Sequence, residues 1–276
     1  MESSTLERPA APDFAAIKQR QRATWQAGDY GRIGVTLQIT GESLCEALDL
    51  RAGQRVLDVA AGNGNATLAA ARRFCNVVST DYVPTLLEQS RRRARAEGLP
   101  VDFREADAEA LPFADGSFDA VLSTFGVMFT PDQRRAADEL QRVCRAGGRI
   151  GLAMWTPDGF IGRLFRVIGR YVAPPPGLNP PAAWGTRDFL QRHFGAGSRR
   201  IEACSRQFVF RYQSPRHFLD VFATWYGPML KAFQALDESR AAALRDDILQ
   251  LIAEHDIADD GTMKVPSEYL EVVIDR

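Results

Sequence analysis

The sequence predicts a doubly wound α/β fold: a mostly parallel sheet of about seven strands, the last one antiparallel, with N-terminal helices and a helical cap. Three observations carry this reading. Short β-branched runs alternate with helical segments from residue 55 to residue 155. Their connections are short, which implies parallel pairing through right-handed crossovers. A long alternating stretch, IEACSRQFVFR at 201–211, is separated from the final strand at 264–274 by helical sequence, as if the last strand pair had been interrupted by an insertion.

Taken in order, residues 1–12, MESSTLERPAAP, are expected to form a disordered tail. The spacing of Phe14, Ile17, Gln21 and Trp25 outlines a first helix that Gly28 should end. Asp29-Tyr30-Gly31 reads as a turn, and a second helix carries Ile33, Leu37, Leu44 and Leu48 inward. Strands at 55–59, 76–80, 101–105, 118–124 and 148–155 then alternate with helices at 65–73, 84–97 and 132–145. Beyond Trp155 come a helix at 160–172, the proline-rich loop APPPGLNPP at 173–181, a helix at 185–194, and helices at 215–234 and 238–255. The expected organisation is one domain over 13–276, with N-terminal helices at 13–50, a core at 51–155 and a C-terminal half at 156–276. In that half, the helices at about 215–255 are expected to cap the ligand end of the sheet.

With 276 residues, 45% of them hydrophobic, the chain has ample material for a core. A formal net charge of −1 lacks the basic excess that phosphate backbones or anionic lipids select, which argues against nucleic acid as a partner. The run Arg91-Arg92-Arg93 with Arg95 falls on a predicted helix and reads as a solvated face. Cys45, Cys75, Cys144 and Cys204 are scattered, with no histidine at ligand spacing, so neither zinc site nor disulfide framework is expected. The N-terminal sequence lacks the pattern of a signal peptide and no window approaches a membrane span, so a cytoplasmic protein is expected.

In a wound sheet, ligands bind outside the carboxyl ends of the strands. Four such ends carry chemistry in this chain. The first strand runs through Asp58 into Ala60-Ala61-Gly62-Asn63-Gly64; the second ends at Asp81-Tyr82; the third leads into Asp107-Ala108; the fourth ends at Ser123-Thr124-Phe125. A glycine loop between strand and helix brings bare backbone and a helix N-terminus toward a ligand. Asp81, 23 positions after Asp58, stands where a carboxylate can accept both hydroxyls of a ribose. Each feature alone has a simpler reading as a surface turn or helix cap. Together, at successive strand ends, they point to a nucleoside site. The third glycine of a dinucleotide fingerprint is missing, since Thr67 occupies its place, which disfavours a nicotinamide oxidoreductase.

The stretches VLDVAAGNGNATLA, TDY, ADAEALPFADGSFDAVLS and ELQRVCRAGGRIGLAMW resemble the class I S-adenosylmethionine-dependent methyltransferases, and most of all their ubiquinone/menaquinone biosynthesis C-methyltransferase branch. The resemblance covers roughly 53–155 and is weak after 158. It implies a Rossmann-like methyltransferase fold, S-adenosyl-L-methionine as cofactor and S-adenosyl-L-homocysteine as product. It further implies that Asp58, Ala60, Gly62, Asn63 and Gly64 hold the methionine end, Asp81 the ribose hydroxyls, Asp107 and Ala108 the adenine edge, with Tyr82 beside the nucleoside. The family often has glycine where Ala60 stands. Thr124, at its strand end, joins the candidate set, as do Tyr30 and Trp25 as aromatic cover for a sulfonium.

Methyl transfer is driven chiefly by positioning, so no catalytic signature is required and none is assigned. Should the acceptor have a proton to lose, His193, His217, Tyr226 and His255 are the candidate bases. The expected acceptor is a small molecule such as a quinone precursor, polyketide or other secondary metabolite. The alternative is a noncatalytic module that keeps the nucleoside site, distinguished by a cap collapsed onto the cofactor.

Overall fold

The computed structural model describes residues 12–276. Of the expected N-terminal tail, all but Pro12 lies outside the described residues. The sheet has seven strands: β1 (Arg55–Val59), β2 (Asn76–Asp81), β3 (Val101–Glu105), β4 (Phe118–Thr124), β5 (Cys144–Trp155), β6 (Arg200–Tyr212) and β7 (Met263–Asp275). Their spatial order is β3-β2-β1-β4-β5-β7-β6. Strands β1 to β5 pair in parallel, and β7 is inserted antiparallel between β5 and β6.

The helices are α1 (Phe14–Gln26), α2 (Gly31–Gly34), α3 (Gln38–Ala47), α4 (Asn65–Arg72), α5 (Pro84–Ala96), α6 (Gln133–Val143), α7 (Phe160–Tyr171), α8 (Arg187–Phe194), α9 (Pro215–Trp225), α10 (Gly227–Gln234) and α11 (Glu238–His255). Because successive strand residues face opposite sides, each central strand feeds two cores. Val56, Val77, Ala120 and Leu122 pack with Leu44, Leu48 and the alanines Ala66, Ala69 and Ala70 on one face. Leu57, Val59, Val78 and Val121 belong to a larger core on the other. The alanine-rich α4 sits close to the first face because its side chains are short.

Helix α1 starts where Asp13 accepts the Ala16 N–H, and the chain passes into the left-handed region at Gly28 (φ +76°). Two expected helices are broken. The segment expected as one helix around 33–48 is a short α2, a 3₁₀ turn at Val35–Leu37, and then α3. The segment 215–234 breaks at Tyr226, which is extended (φ −85°, ψ 102°). Gly227-Pro228 explains the break, since proline has no N–H for the preceding turn and suits the start of a new helix. A Cβ on Gly227 would also lie 2.1 Å from the Thr24 carbonyl oxygen, so the break is where α1 comes closest.

At the carboxyl ends of β1 and β4, where the strand order changes direction, two nonglycine residues are left-handed: Ala60 (φ 51°) and Phe125 (φ 58°). Such a backbone costs roughly 1–3 kcal/mol per residue and persists only where surroundings enforce it. The enforcing contacts are visible. Ser123 Oγ donates to the Val59 carbonyl at 2.8 Å and accepts the Val127 N–H at 3.1 Å, locking one loop to the other. Gly126 lies so close that a Cβ there would be 2.0 Å from the Ala60 carbonyl oxygen. Gly126→Ala is therefore expected to destabilise the fold by about 1–3 kcal/mol, read as a thermal midpoint several degrees lower in calorimetry; an unchanged midpoint would contradict this backbone contact.

Candidate active site

The carboxyl ends of β1, β2 and β4 and the loop after β3 open into one cleft of about 1220 Å³, counting the space open to solvent at its mouth. Gly62, with φ +56°, turns its bare Cα into it, and the nearest group to a Cβ placed there would be the Tyr30 ring at 3.6 Å. Asp81 forms part of the wall. Its Oδ2 accepts the Gly62 N–H at 2.9 Å and its Oδ1 the Val83 N–H at 2.8 Å, so one carboxylate ties the loop after β1 to the end of β2. Burial raises its pKa to about 6 against the backbone donors that favour the ionised form.

Of the sequence-derived candidates, Tyr30, Ala60, Gly62, Asn63, Asp81, Tyr82, Asp107, Ala108 and Thr124 line this cleft, as does Trp25. Asp58 and Gly64 do not. Asp58 is fully buried beneath the loop, where its Oδ2 accepts the Thr67 hydroxyl at 2.6 Å and its Oδ1 finds no partner among the described residues. Desolvation raises its pKa to about 7, with the Asp81 charge adding to the shift. Gly64 is the left-handed residue at the start of α4 (φ +88°), and a Cβ there would meet the Ser90 hydroxyl. Both residues shape the loop from behind.

The histidines do not reach the cleft. His217 Nδ1 accepts the Gln213 N–H at 3.2 Å at the start of α9, His255 contacts the Leu251 carbonyl oxygen at 2.9 Å, and His193 packs on Phe189. Tyr226 alone of the candidate bases lines it. Burial pushes its phenol well above the ordinary value, which keeps it protonated at neutral pH.

Several cleft residues carry no signal in the sequence. Helix α1 contributes Lys18, whose ammonium meets Asp107 Oδ2 at 2.6 Å and Glu109 Oε2 at 2.5 Å. Burial alone would lower the pKa of Lys18, and the hydrogen bonds to the two carboxylates outweigh it, leaving the ammonium above its usual range. A lysine on a helix is indistinguishable in sequence from a solvated one. Beyond Tyr30 the cleft is apolar, with Trp155 from β5, Leu164 and Phe165 from α7, Phe210 from β6 and Phe222 from α9. Apart from Trp155 these residues come from the half of the chain where the family resemblance is weak, and only amphipathic periodicity marks them.

A sequence model of the family described as "Methyltransferase domain" matches residues 57–152, the stretch that builds the glycine loop and the strand ends. An uncharacterised protein of Mycobacterium tuberculosis is 38% identical over 277 residues, covering 99% of this chain and 99% of the relative. The demethylmenaquinone methyltransferase of Thermus thermophilus is 42% identical over 135 residues, covering 46% of this chain and 61% of that protein. This chain belongs to the class I S-adenosylmethionine-dependent methyltransferases. The fold agrees: the YcgJ protein of Bacillus subtilis superposes with a TM-score of 0.58 at 21% identity, covering 86% of this chain and 98% of that one.

In this methyltransferase the buried Asp58 gives a pH signature. A carboxyl whose pKa is higher folded than unfolded binds extra protons in the native state, so stability is present at low pH and falls as pH rises from about 4 through 7. Replacing it by Asn removes that titration. We expect the thermal midpoint of the wild type to fall relative to Asp58→Asn between pH 5 and 8, by an amount corresponding to a few kcal/mol; parallel curves would mean that Asp58 is not held at a raised pKa.

Proposed function

We propose that this methyltransferase holds S-adenosyl-L-methionine in the polar half of the cleft and methylates a small-molecule acceptor, releasing S-adenosyl-L-homocysteine. The observation that carries this reading is the convergence of the bare Gly62 backbone, the Asp81 carboxylate and the Asp107-Ala108 pair on one cavity, in a chain of this family. The residues fit the ligand. Asp81 keeps lone pairs beyond its two backbone donors and would take the ribose hydroxyls. Asp107 and Ala108 would meet the adenine edge, and Tyr82 would lie beside the nucleoside. Ala60, Gly62, Asn63 and Thr124 would surround the methionine end, covered by Tyr30. Asp58 and Gly64 would act indirectly, by holding the loop in shape.

When bound, the cofactor supplies a methyl group on a positively charged sulfur; the acceptor's electron pair bonds to the methyl carbon as the carbon–sulfur pair returns to sulfur, leaving a neutral thioether. The protein's share is positioning, which can supply about 7–11 kcal/mol of barrier reduction, and the exclusion of water by the apolar wall. Two further points support an enzyme over a module that merely binds. The cleft continues past Tyr30 into an apolar half instead of closing against α9 and α10, and a relative matching 46% of the chain is named a demethylmenaquinone methyltransferase. We infer an acceptor of the quinone-like, polyketide or secondary-metabolite kind, and a cytoplasmic setting. The latter is supported by four free cysteines and by the lack, among the described residues, of any helix long and apolar enough to cross a membrane.

Calorimetric titration with S-adenosyl-L-methionine tests the cofactor reading. Asp81→Ala is expected to weaken binding more than tenfold, and Asp81→Asn, which keeps one acceptor oxygen, by less. Because burial lifts Asp81 to about 6, wild-type affinity should fall as pH drops from 7 to 5 while the Asn variant responds less. Equal affinities in all three proteins would remove Asp81 from the site.

A further inference from the structure

This inference rests on the preceding reading and extends it to the acceptor. Two runs of contacting aromatic rings wall the apolar half of the cleft. In one, Trp25 meets Phe129 at a ring separation of 5.0 Å, and Phe129 meets Phe165 at 5.6 Å. In the other, Tyr226 meets Phe222 at 5.5 Å, Phe222 meets Phe210 at 6.2 Å, and Phe210 meets Trp155 at 5.8 Å. Trp25 and Tyr226 join the two runs, 5.6 Å apart at 75°. The charged residues that line the cleft, Lys18, Asp81, Asp107 and Glu109, belong to its polar half.

One of the donors in these walls is the Tyr226 hydroxyl. The residue is only 7% exposed and lines the cleft, yet its phenol has no hydrogen-bond partner among the described residues. Its backbone is fixed by the break between α9 and α10, and by the neighbouring Trp225 carbonyl, which accepts the Asp29 N–H at 3.1 Å. An unpaired donor in an apolar wall discriminates: a ligand with a matching oxygen gains the bond, and one without it leaves the donor unpaired.

We propose that the aromatic half is the methyl-acceptor site, that it takes a flat aromatic molecule bearing a ring oxygen, and that the Tyr226 hydroxyl donates to that oxygen. Tyr226 is thereby a specificity-determining residue. An amine acceptor fits less well. A cation would find aromatic surface but no carboxylate in this half, and Trp25 is already met edgewise by Tyr30, Phe129 and Tyr226 at interplanar angles of 88°, 69° and 75°. An anionic acceptor would find no cation, since Lys18 is held between Asp107 and Glu109.

The test is equilibrium dialysis of 2-naphthol and naphthalene against the protein saturated with S-adenosyl-L-homocysteine, whose own binding is first measured by calorimetry. We expect the wild type to bind 2-naphthol about five- to tenfold more tightly than naphthalene, the worth of one neutral hydrogen bond. Tyr226→Phe should keep the naphthalene affinity, which reports an intact cleft, and lose the preference for the hydroxyl. Equal wild-type affinities, a preference that survives in Tyr226→Phe, or tighter binding of phenyltrimethylammonium than of 2-naphthol would each overturn the proposal. Failure of S-adenosyl-L-homocysteine to bind would instead overturn the cofactor reading beneath it.

Discussion

The buried carboxylate of Asp81 is the joint on which the site depends. By accepting one N–H from Gly62 and another from Val83, it fixes the turn that leaves β1 against the turn that leaves β2. The bonds are short because the two strands are direct neighbours in parallel register, with Val59 opposite Thr80. Desolvation works against the charge while the backbone donors work for it. The balance leaves a carboxylate raised to about 6 that forms part of the cleft wall. Ala60, held left-handed next to this joint, shows how far the backbone is bent to keep the loop there.

A second layer supports the first from below. Thr67, near the start of α4, donates to Asp58 at 2.6 Å and lies 2.8 Å from the Ser79 hydroxyl, so β1, β2 and α4 share one buried polar knot. On the outer side, Arg93 reaches from α5 to the Asn63 carbonyl at 2.7 Å, and Asn65 donates to the Gly34 carbonyl at 2.7 Å. The glycine loop is thus held from three directions, and its open side is the one facing the cleft.

The parts of this architecture that are legible in the sequence are those governed by local rules. Strand–loop–helix at 55–72 follows from a β-branched run, two glycines and a string of alanines, and the parallel core of the sheet follows from regular alternation. Acidic residues at successive strand ends point to Asp81 and Asp107 without any knowledge of contacts. What the sequence hides depends on distance in space. Asp58 reads as a ligand-facing carboxylate because its position one residue before the strand's end does not reveal which face it takes; the pleat sends it down onto Thr67. Lys18 pairs with residues 89 positions away or more, beyond any local pattern. The break at Tyr226 is written in Gly227-Pro228, but the apolar periodicity of 215–234 masks it.

That break has a structural corollary. Gly28 and Asp29 abut the Trp225 carbonyl, and Gly227 abuts the Thr24 carbonyl, so the first helix and the hinge between α9 and α10 interlock through main-chain contacts, to which the Trp25–Tyr226 ring pair adds. Segments about two hundred residues apart in the sequence therefore form a single clasp over the cleft. Side-chain variation elsewhere along these helices can retune what the cleft admits without touching those main-chain contacts, whereas a change in the length of either turn would unfasten both walls together.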